Sequence, residues 1–195
     1  MRSTLSPALI VMIATMLCAS TFSRAAAEKT SQYSVFGLFS PDREQDLKDV
    51  LENIPEMKLV SLDYEHARAT FSYDLEVLFP GYNPKHPPKD TEIEQHLNNL
   101  LTKESQGTFR LRPVSATPAD KLEKIEIQIG ILDCKGCRYA AYQALEKVEG
   151  VDHATVTKDN IVRAWIDPAK TGKEALQAAL KKARVAIPGV SKGDE

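Results

Sequence analysis

Two of the three cysteines stand three apart, as Cys134-Lys135-Gly136-Cys137, and the third, Cys18, lies in an apolar run near the start of the chain. Thiols at the closer spacing have three chemistries open to them. Two thiolates hold a soft metal ion, a dithiol cycles with its disulfide, or a closed disulfide acts as an inert staple. Lys135 and Arg138 flank the pair and favour thiolate, while Asp133 on the other side opposes it.

The pair needs a frame, and the pattern around it supplies one. Ile125, Ile127, Ile129 and Ile131 are apolar at every second position, the period of a half-buried strand that runs out at Asp133. Beyond Cys137 the apolar residues are Ala141, Ala144, Leu145 and Val148, which is helical spacing, and Glu149-Gly150 provides the stop. The thiols therefore belong in a strand-to-helix turn, facing the unpaired N–H groups and the positive end of the helix dipole.

Sliding the chain against itself by 94 positions sets Leu47, Val50, Leu51 and Ile54 on Ala141, Ala144, Leu145 and Val148. The same offset sets Tyr33, Val35 and Leu38 on Ile127, Ile129 and Leu132, and Lys58 to Tyr73 on Asp152 to Asp167. Each copy reads as strand, helix and two strands around a turn, continuing into a second helix and a closing strand. In the second copy Thr171-Gly172-Lys173-Glu174 has the spacing of a capping box, Leu176, Ala179, Leu180 and Ala183 form a stripe, and Val185-Ala186-Ile187 is the closing strand. In the first copy Asp74 to Phe79 extends a strand, a proline-rich loop follows, a helix carries Ile93, Leu97, Leu100 and Leu101, and Gly107 to Val114 closes the unit. The fold class expected is α+β, two tandem ferredoxin-like βαββαβ modules, each an antiparallel sheet with two helices on one face. The duplication sets the boundaries at 28–114 for a module without cysteine, 115–121 for a linker, 122–190 for the module with the thiol pair, and 191–195 for a tail. Each module carries its own apolar set, so the two are expected to fold separately.

The second copy, from Lys124 to about Ile187, resembles the heavy-metal-associated domain of copper chaperones, metal-transporting P-type ATPases and the periplasmic mercury-binding protein. The residues that carry the likeness are Cys134 and Cys137, the helix Ala140 to Val148, the turn Glu149-Gly150-Val151 and the hairpin Val156 to Ile166. The resemblance implies copper(I) or zinc(II) held by the Cys134 and Cys137 thiolates and passed to a partner protein with a similar thiol pair. It implies no catalysis; a thiol-disulfide redox protein, or an interaction module with the pair as a staple, is the alternative. Asp133 precedes the first cysteine as an acidic residue does in members resembling zinc transporters, which makes it a candidate third ligand. Where the family has Gly-Met, this chain has Ile131-Leu132, and Leu132 is expected to fill the methionine's apolar hole. The first copy has Ser40 and Arg43 at the cysteine positions, with Ser40 as the expected N-cap and Pro41 at the first helical position.

The start of the chain reads as a secretory signal peptide over residues 1–27, an apolar run followed by Ala25-Ala26-Ala27, so the mature protein is expected to be exported to the periplasm or beyond the cell. Cleavage there drops Arg2 and Arg24 from the 25 basic side chains and none of the 27 acidic ones, taking the formal net charge from −2 to −4. Such a balance offers nucleic acid no footprint, and no later segment is apolar enough for stable membrane insertion. Among the histidines only His96 has a partner at ligand spacing, Glu92, and that pair reads as a solvated helix face. Trp165 alternates with the apolar residues of its strand and reads as core or cover.

Overall fold

A computed structural model describes residues 28–189; the expected leader (1–27) and residues 190–195, with the expected tail, lie outside the described residues. The first sheet is built by β1 (Glu28–Phe36), β2 (Met57–Asp63), β3 (Arg68–Asp74) and β4 (Arg110–Arg112), with helices α1 (Arg43–Leu51), α2 (Leu75–Leu78) and α3 (Asp90–Glu104) between them. Its order is β2-β3-β1-β4, antiparallel throughout, which is the order a split βαβ unit produces. The second sheet contains β5 (Glu123–Gln128), β6 (Val151–Val156) and β7 (Ile161–Ile166) in the order β5-β7-β6, with α4 (Lys135–Glu146) and α5 (Lys173–Lys182) packed on it. Starts at Met57 for β2 and Val151 for β6 preserve the 94-residue offset. The chain is thus two tandem ferredoxin-like modules, and each has its own buried apolar cluster.

Four local expectations give way. Asp74 to Phe79 does not extend β3: the Asp74 carboxylate accepts the Glu76 N–H at 2.8 Å and caps the short helix α2, which buries Leu75 and Leu78. Val185 to Ile187 is not a laddered strand, so the second sheet has three strands. Its fourth is reduced to one bond, from Gly130 N–H to Ala186 O at 2.7 Å, because the segment is three residues long and Pro188 has no N–H to continue it. Helix α1 starts at Arg43 rather than Pro41, since the Ser40 hydroxyl donates to the Asp42 carboxylate and caps nothing. The capping box at Thr171 does not form either; α5 starts at Lys173 after Gly172, with no side-chain cap. Gly150, by contrast, is required where the helix turns into β6: φ is +88°, and a Cβ there would lie 2.7 Å from the Lys170 Cβ.

The modules share more than a linker. Phe39, in the β1–α1 loop of the first, is 1 % exposed and belongs to the apolar cluster of the second. Its carbonyl accepts the Val156 N–H at 2.7 Å, and its ring lies 5.4 Å from that of Tyr142. Across the module boundary, the Arg68 guanidinium donates to both Asp152 oxygens at 3.0 and 3.1 Å. His153, 1 % exposed and stacked on Trp165, bonds Asp152 Oδ2 through Nδ1 at 2.7 Å and Glu65 O through Nε2 at 2.8 Å. Arg112 pairs with the buried Glu146 carboxylate at 2.7 Å. Separate folding is therefore not what this packing favours, because one module completes the core of the other.

Candidate metal centre

Strand β5 buries Ile125 and Ile127, and Ile129 just beyond it is buried as well; the alternation then fails, and Ile131 is 78 % exposed. The chain is leaving the sheet at that point. Cys134 follows as the N-cap of α4 with extended backbone (φ −106°, ψ 145°), and Cys137 sits in the first turn. Both cysteines are exposed. Their Cα atoms are 5.2 Å apart and their sulfurs are joined as a disulfide. The Cys137 N–H donates to Cys134 Sγ at 2.9 Å, so a sulfur occupies the capping place that an oxygen usually takes. The frame beneath is firm: Ala141, Tyr142 and Leu145 are buried on the sheet side of α4.

The side chains around the pair divide unevenly. Lys135 does not lean on the sulfurs; its ammonium reaches Asp46 at 2.7 Å and Asp42 at 3.4 Å, both at the start of α1 in the first module. Burial pushes the Asp42 carboxyl up, but the Ser40 hydroxyl and the Lys135 charge outweigh it and hold that carboxyl below its ordinary range. Asp133 is exposed and makes no hydrogen bond or ion pair among the described residues. It is not gathered with the sulfurs, for among the described residues no three His, Cys, Asp or Glu side chains converge on one point. What the two sulfurs can do by themselves, once reduced, is bind a soft ion at low coordination or exchange with another thiol.

Tyr142 is the residue that sequence reading missed. Its hydroxyl accepts the Gly37 N–H at 2.8 Å across the module boundary, and burial pushes its phenol well above the ordinary value. Helical spacing placed Ala141, Ala144 and Leu145 inward; a tyrosine beside them reads as surface until its partner, 105 positions away, is known.

In the first copy the cysteine equivalents are used up by packing. Ser40 is buried, and Arg43 is 8 % exposed with its guanidinium 4.6 Å over the Phe109 ring and paired with Asp46. Neither offers a ligand. His66 is tied to Asp63 at 2.8 Å, and His96 lies against Phe79 with ring centres 5.2 Å apart rather than forming a site with Glu92.

No protein-family model matches the chain, and no curated protein matches it. Solved structures do show similarity. The water-soluble region of the P-type ATPase CopA from Bacillus subtilis is 17 % identical, covers 86 % of this chain and 96 % of its own, and gives a TM-score of 0.32. The N-terminal domain of a potential copper-translocating P-type ATPase from Bacillus subtilis, solved in the Cu(I)-loaded state, is 26 % identical over 38 % of this chain and 96 % of its own, with a TM-score of 0.32. The N-terminal domain of the zinc(II) ATPase ZiaA, solved in its apo form, is 24 % identical over 38 % of this chain and 76 % of its own, with a TM-score of 0.30.

Proposed function

We propose that the protein is an exported, non-catalytic carrier of a soft or borderline metal ion, copper(I) or zinc(II), held by the reduced thiolates of Cys134 and Cys137. The observation that supports this most is the placement of two exposed sulfurs together at the N-terminus of a well-anchored helix, Cα atoms 5.2 Å apart. Two sulfurs suit copper(I), which accepts low coordination, and leave it open to attack by an incoming thiol of a partner protein. Zinc(II) prefers four ligands, so it would draw on Asp133, whose carboxylate is exposed and uncommitted, and on water. In this reading residues 1–27 are the export leader, 122–190 the metal-bearing module, and 28–114 a module that supports it. The test is transfer: reduced protein loaded with one equivalent of copper(I) is mixed with a separate dithiol acceptor protein. The ion is expected to pass across without appearing free to a solution chelator. Failure of the reduced protein to load sinks the reading.

A further inference from the structure

A crevice of about 410 Å³ between Tyr64, Lys158, Arg163 and Trp165 mixes both charge signs and selects no ligand. The buried Arg68–Asp152–His153 group is committed to holding the modules together. The disulfide, by contrast, is exposed and asymmetric.

The two sulfurs are chemically unequal although the residues are alike. Cys134 Sγ caps α4, accepts the Cys137 N–H at 2.9 Å, and stands where the unpaired N–H groups and the dipole of a 12-residue helix point. Among the described residues no donor reaches Cys137 Sγ. When the S–S bond breaks, the departing sulfur takes both bonding electrons and becomes an anion. Only at Cys134 is that charge met by a hydrogen bond already in place. Exchange runs faster through the sulfur that leaves more easily, so attack belongs on the other one. The pair is also open to a partner: both cysteines are exposed, and the adjoining Ile131, 78 % exposed, offers an apolar edge against which a partner can seat.

We infer that the site is a directional electron acceptor: a protein dithiol reduces it by attacking Cys137 Sγ, and only the reduced form takes the metal. In the first step a thiolate of the reductant bonds to Cys137 Sγ, the Cys134–Cys137 bond breaks, and Cys134 leaves as thiolate. In the second, the other thiol of the reductant attacks its own sulfur in the mixed disulfide and expels Cys137 as thiolate. Two electrons pass from the dithiol, which ends as a disulfide, to the pair. The two thiol protons go to solvent or onto the product sulfurs. The metal half of this inference rests on the carrier reading above; the exchange half does not.

The experiment uses the oxidised full chain and a dithiol oxidoreductase whose resolving cysteine has been replaced by serine, so that the mixed disulfide is trapped. Free thiols are alkylated and the adduct is mapped by peptide mass spectrometry. The adduct is expected on Cys137 with Cys134 alkylated; an adduct on Cys134, or one divided equally, overturns the direction, and no adduct overturns the exchange. In parallel, oxidised and reduced chains are offered copper(I) as its bicinchoninate complex and zinc(II) as its pyridylazoresorcinol complex. Uptake by the reduced chain alone is expected. Equal uptake by both forms overturns the gate, whereas uptake by neither overturns the carrier reading and leaves the trapping result to judge the exchange.

Discussion

Tyr142 and Asp133 differ in what their surroundings ask of them, and each can be tested alone. Replacing Tyr142 with Phe removes the acceptor for the Gly37 N–H and leaves a buried donor unpaired, with little change of shape. The loss expected is about 1–3 kcal/mol, read as a shift in the denaturant midpoint; an unchanged midpoint would mean that water replaces the hydroxyl. Asp133→Ala should weaken zinc(II) binding much more than copper(I) binding, because an oxygen donor matters to the ion that wants fuller coordination. Equal losses for both ions, or none, would return Asp133 to an ordinary solvated residue. The thiol pair and its place at a helix start were legible at this scale, since strand period, helix period and stop all converge on it. Lys135 was misread as a support for the thiolates because its true partners, Asp42 and Asp46, lie in the other module, about as distant in sequence as the repeat is long.

Elements were legible where their periods were long and clean, as in β5 and α4, and illegible where a few residues decided the outcome. Three residues after α5 could not build a strand, and one carboxylate at Asp74 turned an apparent strand into a helical turn. The element with most influence on the site is the β1–α1 loop, because Phe39 leaves its own module to fill the next. Phe39→Ala should cost about 3–5 kcal/mol. Hydrogen exchange should show the loss in the second module, at the Val156 amide that bonds the Phe39 carbonyl; protection lost only in β1 to β4 would contradict the shared core. The Arg68–Asp152–His153 group between the modules makes a separate, pH-dependent contribution. Burial pushes the Asp152 carboxyl up, yet the His153 hydrogen bond and the charges of Arg68 and His153 outweigh it and hold it below the ordinary 3.8. A depressed carboxyl contributes stability that is complete above 3.8 and is lost as pH falls below it. Glu146 runs the other way, since burial holds it above 4.5 despite the Arg112 charge, so its contribution fades as pH rises. Asp152→Asn should therefore destabilise most above pH 3.8, with the gap to the parent narrowing below that value. A gap of constant size across the acid range would remove Asp152 from the account.

For the whole molecule the duplication was visible in the 94-residue offset, but the assembly was not, because a repeat reveals what each copy can bury and says nothing of which copy lends a side chain to the other. Phe39, Arg68–Asp152 and Arg112–Glu146 make the two modules depend on each other. A fragment from Ala119 onward should keep its three-stranded sheet but unfold at lower denaturant than the same residues in the full chain, which should itself unfold in one transition. Two well-separated transitions in the full chain would restore independent modules. The pseudo-symmetric loops have thus parted in use: one buries Ser40 and Arg43 within the first module and sends Phe39 into the second, and the other leaves Cys134 and Cys137 exposed. Metal loading decides whether the exposed pair is the site. Reduced full-length protein and its Cys134→Ser/Cys137→Ser counterpart are titrated with copper(I) and zinc(II) against competing chelators, with circular dichroism to verify that both are folded. One tightly held ion per parent chain and none in the folded double variant is the predicted result, because the apolar clusters and not the thiols hold the fold. Unchanged stoichiometry in the double variant would contradict the account.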